Sequence, residues 1–159
     1  MRITTTMESP IADLVLTNTD GVLSGLRMCD PGTTGPTGGD ARGFERVIEE
    51  LMEYFRGERT EFSVAVAPTG TEFQQRVWEQ LLRIPYGETR SYGEVAGTLG
   101  DPSGAREVGW ANARNPIAII VPCHRVIGAD GSLTGYAGGL DRKRRLLDLE
   151  AGRGTLFVT

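Results

Sequence analysis

Apolar and polar positions follow two different rhythms along this 159-residue chain. Residues 11–28, IADLVLTNTDGVLSGLRM, read as two apolar strands joined around Asp20-Gly21, a dipeptide whose backbone freedom suits a tight hairpin. Phe44, Val47, Ile48, Leu51 and Phe55 then recur at helical spacing over residues 44–56, with Gly57 as the stop. TEFSVAVA alternates Phe62, Val64 and Val66, which predicts a third strand. Between hairpin and helix, DPGTTGPTGGDARG is rich in Gly, Pro and Thr and predicts a mobile loop. Residues 1–67 are therefore expected to form an α/β domain, a three-stranded antiparallel sheet plus one helix. APTGT reads as the linker.

From residue 68 to 159 the pattern predicts a mainly α domain. Thr71 with Gln74 forms a capping box ahead of Phe73, Val77, Trp78, Leu81 and Leu82, on a helix that ends before Pro85. Ser91 with Glu94 repeats the device and opens a helix through Leu99, stopped by Gly100. Ser103 is placed to cap a third helix, roughly 104–113, rich in small residues. An extended apolar run, Ile117–Val121, and Gly-rich turns through Gly139 follow. Asp141 is placed to cap a last helix carrying Leu146, Leu147 and Leu149. Two short helices and an extended return suit a winged helix-turn-helix.

Composition changes this picture little. With 39% hydrophobic and 24% charged residues the chain reads as an ordinary globule. No apolar run approaches the ~20 residues that span a bilayer, and MRITTTMESP lacks a signal-peptide core, so a cytoplasmic protein with no membrane partner is expected. The net charge of −4 argues against a protein that coats DNA generally. It is unevenly spread, however: residues 1–100 hold 9 Arg against 15 Asp or Glu, and residues 101–159 hold 8 Lys or Arg against 6. Contact with phosphate, if any, belongs to the C-terminal part.

The candidate chemistry sits in NPIAIIVPCHRVIG, residues 115–128. His124 is the only histidine, and Cys123 is one of two cysteines, with Cys29. Closed structural zinc sites use four Cys or His ligands, so no metal is expected and any Cys/His chemistry must use His124. A thiol reacts as its thiolate, which a neighbouring base favours. Neighbours in a strand point to opposite faces, so Cys123 and His124 must sit on a turn or communicate through a water. Glu150 is a candidate carboxylate to fix the imidazole. Against this stands the common fate of a buried free cysteine, an inert small hydrophobe.

Together with GSLTGYAGG, the RK pair, LLDLE and FQQRVWEQLLRIPYGETRSYGEVA, the PCHRV core resembles the O6-alkylguanine-DNA alkyltransferases, over about residues 71–150. The resemblance implies a repair protein, without cofactor, that flips an alkylated guanine from the duplex and transfers its alkyl group irreversibly to Cys123. O4-alkylthymine is a second candidate lesion. It also implies that His124 activates the thiol through a water, with Glu150 orienting the ring, Asn115 buttressing the turn and Tyr92 donating to the departing guanine. Tyr136 would line the alkyl pocket, backbone groups of Cys123, Val126 and Ala137 would hold the base edge, and Pro122 would complete the substrate pocket. Arg106, Ala105, Gly109, Ser91 and Arg125 would contact double-stranded DNA through the minor groove, with Arg106 filling the gap left by the base and the protein acting as a monomer. Glu107 and Trp110 depart from the family pattern on that helix. Other readings are a non-catalytic lesion sensor, a cysteine hydrolase with multiple turnovers, and the same transfer from a bulky adduct.

Overall fold

The computed structural model describes residues 1–30 and 41–152, so the loop expected over residues 30–43 lies mostly outside the described residues. Strands β1 (Arg2–Met7), β2 (Asp13–Thr19) and β3 (Val22–Cys29) form an antiparallel sheet in that order. Asp20 and Gly21 have φ of +51° and +84°, the left-handed pair that a two-residue hairpin needs.

The third strand is not TEFSVAVA. It comes from RITTTM at the start of the chain, whose β-branched residues pair with β2 from Arg2↔Thr19 to Met7↔Leu14. The Phe62–Val66 stretch instead runs beside β3 and meets it at one parallel bridge, Leu23↔Val66, with the Ala67 N–H on the Leu23 carbonyl at 2.8 Å. A buried carboxylate holds this stretch in place. Glu50 of α1 (Glu45–Phe55) accepts from the Ser63 N–H at 2.9 Å, the Ser63 hydroxyl and Arg46 Nε at 2.9 Å. Burial pushes the Glu50 carboxyl up, but the bonds from Ser63 and Arg46 outweigh it and hold it at about 2.

The second half opens with α2 (Glu72–Leu82), then β4 (Arg90–Ser91) and α3 (Tyr92–Thr98). Thr71 and Ser91 cap α2 and α3 with complete capping boxes, as their sequences predict. The next helix, α4 (Ala105–Ala113), begins at Gly104 without a side-chain cap, because the Ser103 hydroxyl donates to Asp101 at 2.7 Å instead. The last helix, α5 (Leu140–Glu150), likewise begins at Gly139, with Asp141 inside its first turn. Strand β5 (Val126–Ile127) pairs in parallel with β4. Helices α3 and α4 form the helix-turn-helix, and α4 also packs on α2, where Trp78 Nε1 donates to the Ala111 carbonyl at 2.9 Å. Among the described residues no helix is long and apolar enough to cross a membrane.

The apolar run Ile117–Val121 is buried but is not a strand. Ile117 makes one parallel bridge, to Leu26, and the chain then folds through two tight turns. The Ile120 N–H bonds the Ala118 carbonyl at 2.8 Å around Ile119 (φ +71°), and the Cys123 N–H bonds the Val121 carbonyl at 2.8 Å around Pro122. Pro116 and Pro122 lack the donors that a ladder would need. A β-branched residue at positive φ costs about 1–3 kcal/mol and persists only where its surroundings over-determine it. Here β3 does so, bonding the Pro116 carbonyl through the Leu26 N–H at 2.9 Å and the Ala118 N–H through the Leu26 carbonyl at 3.0 Å.

Because Glu50 accepts from both the N–H and the hydroxyl of Ser63 and from Arg46, Glu50→Gln should lower the free energy of unfolding by about 1–3 kcal/mol. Urea titration of the two proteins measures this, and an unchanged midpoint would refute the assignment.

Candidate active site

Cys123, His124 and Arg125 form one buried turn of 3₁₀-helix directly after the folded apolar segment. Asn115 sets its approach: its Nδ2 donates to the Val121 carbonyl at 2.7 Å, and its Oδ1 accepts from the Ile117 N–H at 3.0 Å. From α4, Asn112 Nδ2 donates to the Cys123 carbonyl at 3.2 Å. Short-range turns thus aim the thiol, and two asparagines brace them.

The end of α5 supplies the carboxylate. Glu150 Oε2 lies 2.7 Å from His124 Nε2 and accepts from Tyr54 Oη at 2.6 Å. Arg125 Nε donates to Oε1 at 2.7 Å, and a second guanidinium nitrogen donates to Oε2 at 3.0 Å. Arg125 also donates to the Ile84 carbonyl at 2.7 Å and stacks over Tyr86, 5.8 Å from the ring centre. Burial pushes the Glu150 carboxyl up, but the hydrogen bonds from His124 and Arg125 and the charge of the guanidinium outweigh it and hold it at about 2. Burial pushes His124 below its ordinary value, against the pull of Glu150, so the ring is neutral near pH 7.

Those two protonation states fix the tautomer. An ionised carboxylate can only accept, so His124 carries its proton on Nε2 and keeps a lone pair on Nδ1. Nδ1 is buried and has no protein partner among the described residues. Burial also raises Cys123, opposed chiefly by Asn115 and by the ammonium of Lys143, so the cysteine rests as a thiol that needs a base.

Lys143, on α5, is fully buried and is the only lysine of the chain. Its Nζ donates to the Thr134 carbonyl at 2.9 Å and lies 5.8 Å from the centre of the Tyr92 ring. Tyr92 Oη donates to the same carbonyl at 3.0 Å. A cavity of about 30 Å³ lies before the thiol, lined by Asn112, Ala113, Asn115, Ala118, Cys123 and the Gly135–Gly138 loop. The Tyr136 hydroxyl is buried at the same cavity and has no hydrogen-bond partner among the described residues.

The structure therefore brings together Cys123, His124, Glu150, Asn115, Tyr136 and Ala137, with Tyr92 at the rim. Val126 is wholly buried and Pro122 lines a different cleft beside Phe62, so neither side chain faces this cavity. Arg106 is exposed on α4, Ala105 and Gly109 are partly exposed, and Ser91 caps α3. Arg125 corrects the reading that groups it with DNA contacts: it is 7% exposed and engaged by Glu150. Sequence reasoning passes over Tyr54, Asn112 and Lys143. Lys143 had a signal, the same scarcity that singles out His124; Tyr54 had none, since it arrives from 96 residues away. Cys29 is partly exposed and accepts from Arg27 at 2.8 Å, away from this site.

Family models match both halves of the chain. One described as 6-O-methylguanine DNA methyltransferase, ribonuclease-like domain, matches residues 3–68; another, the DNA binding domain of the same name, matches residues 72–152. A methylated-DNA–protein-cysteine methyltransferase of Mycobacterium bovis is 54% identical, covering 97% of this chain and 95% of its own. One from Mycolicibacterium paratuberculosis is 57% identical over 91% and 90%. A crystal structure of Mycobacterium tuberculosis OGT in complex with DNA superposes with a TM-score of 0.88 at 53% identity, covering 98% of this chain and 99% of that one.

Removing the charge of Glu150 leaves Arg125 buried without a counter-ion. Glu150→Gln should therefore cost about 3–5 kcal/mol of stability at pH 7. A carboxyl lowered from 4.5 to about 2 stabilises the fold above pH 4.5 and ceases to as pH falls through 2. Denaturant titrations across that window should show a fall in the parent that is shallower in the variant; parallel curves would sink the assignment.

Proposed function

This chain belongs to the 6-O-methylguanine DNA methyltransferase family, DNA repair proteins that transfer an alkyl group from DNA to one of their own cysteines, and we propose that Cys123 is that cysteine. The observation that carries the reading is the buried relay behind the thiol: an ionised Glu150, a neutral His124 whose tautomer it fixes, and Cys123 on the same turn. The lesion is O6-alkylguanine in double-stranded DNA, met from the minor groove by a single copy of the protein.

The chemistry follows from those states. His124 Nδ1 takes the Cys123 proton through an intervening water, and the thiolate sulfur attacks the alkyl carbon bound to O6. An S–C bond forms as the C–O6 bond breaks, and the electron pair passes to the guanine. Tyr92 donates a hydrogen bond to the charge that develops there. The proton lost by the thiol ends on the guanine, so the reaction consumes no cofactor. Because the thioether is stable, each molecule reacts once.

Lys143 completes the arrangement as a positioning residue. It lowers the cost of the thiolate, and it keeps the Thr134 carbonyl bonded when Tyr92 turns to the substrate. The cavity before Cys123, lined on one side by the Gly135–Gly138 loop, is where the extruded base enters. Arg106, exposed on α4, fills the stack that the base vacates, since extrusion forfeits a few kcal/mol of pairing and stacking.

Incubation with a duplex containing O6-methylguanine should add one methyl mass to the peptide bearing Cys123 and stop at one equivalent. Tight binding with no added mass would indicate a lesion sensor instead, and continued turnover a hydrolase. Arg106→Ala should slow reaction with the duplex by about tenfold or more and leave reaction with a free alkylated guanine base nearly unchanged, because only the duplex requires extrusion. Equal losses on both substrates would remove Arg106 from that position.

A further inference from the structure

Helix α4 carries an aromatic side chain where burial gives no reason for one. Trp110 is 58% exposed, the most exposed large apolar residue after Met1 among the described residues. The other tryptophan, Trp78, is 2% exposed and already fills the contact between α2 and α4. Trp110 therefore contributes little to the core.

Its surroundings are defined by helical spacing. Residues 106, 109, 110 and 113 form one stripe along α4, at intervals of three and four. Each end of the stripe is anchored to a known feature. Arg106 is exposed at one end, and Ala113 lines the cavity before Cys123 at the other. Gly109, between them, lies against Tyr92, so close that a Cβ there would meet the ring at 3.8 Å. Helical side chains lean toward the N-terminus of their helix, so the Trp110 indole covers the turn between itself and Arg106. Along the helix, residue 110 lies between Arg106 and Ala113, the α4 residue that lines the cavity before Cys123 together with Asn112.

The charge around it favours a contact that is not ionic. Glu107 is exposed on the same helix and offsets part of the charge of Arg106 and Arg114, and an Arg114 guanidinium nitrogen is already engaged by the Trp110 carbonyl at 3.2 Å. Such a surface gains less from phosphate neutralisation than a basic one. An indole supplies stacking and apolar area that salt does not screen, and aromatic residues grip unstacked nucleotides in this way.

Resting on the reading of Cys123 and Arg106 above, we propose that Trp110 is a second DNA-contacting residue, whose indole packs on the nucleotide flanking the extruded lesion at the pocket mouth. Arg106 occupies the vacated stack, and Trp110 holds the strand that leads into the pocket. The pair divides the work: one fills the gap, the other keeps the displaced strand from sliding back.

The test uses the full chain, Trp110→Ala and Trp110→Phe, with a duplex containing O6-methylguanine and with the free base O6-benzylguanine. Trp110→Ala should slow alkylation of Cys123 by the duplex about tenfold or more, leave the free-base reaction within about twofold, and be largely rescued by Trp110→Phe. The salt dependence of duplex affinity should keep its slope, since no ionic contact is lost. Fluorescence offers an independent readout, because Trp78 is shielded: duplex should quench the parent's exposed emission and leave that of Trp110→Ala unaltered. An unchanged duplex rate, equal losses on both substrates, or unquenched emission would each overturn the proposal. Failure of the parent to react with either substrate would instead count against the transfer reading, while quenching would still report on Trp110.

Discussion

The Glu150 carboxylate is the point on which the site turns. A buried carboxylate is tolerated only where its lone pairs are filled and its charge is met. Here Arg125 meets the charge, while Tyr54 and His124 supply further donors. Each partner brings something different to the same atom pair. Arg125 ties the catalytic turn to α5, His124 receives its tautomer, and Tyr54 draws the first half of the chain into the centre of the second. The chain thus uses one carboxylate both to close the fold and to fix the tautomer of its single histidine.

That double use explains what the N-terminal part adds beyond a platform. The edge of β3 takes both hydrogen bonds offered around Ile117, and so stabilises a turn that includes Ile119 at positive φ. Without that edge, the apolar segment would have no reason to keep the strained geometry that leads into Cys123. Tyr54 adds the second link, from α1. The thiol is consequently held by residues from the sheet, from α4 and from α5, a convergence that no single element provides.

The relation between order and chemistry is visible in the electrostatics. Burial raises Cys123 and lowers His124, so neither group is charged at rest near pH 7. The site stores no free thiolate; it stores a base with an open lone pair and a nearby buried ammonium, Lys143. On the function proposed above, a reactive nucleophile arises only when a substrate draws the proton transfer, which protects a cysteine that is used once.

Local patterns settled much of this protein before any tertiary contact was considered. The two capping boxes at Thr71 and Ser91, the Asp20-Gly21 turn and the periodicity of α1 each depend on neighbours within a few residues, so each was legible. The scarcity of histidine likewise pointed to His124, and the PCHRV segment to its chemistry. The failures were nonlocal. Alternation at Phe62–Val66 records packing beside β3, not membership of the sheet, and the threonine-rich start gave the true third strand. The Ile117–Val121 run is apolar because it is buried, yet prolines and the β3 edge fold it into turns. Arg125 reads as one more basic residue near DNA until Glu150 arrives from 25 positions away to claim it. Sequence by itself determined which groups could react; only the tertiary structure decided which charges they would meet, because desolvation and ion pairing depend on distances that chain order does not encode.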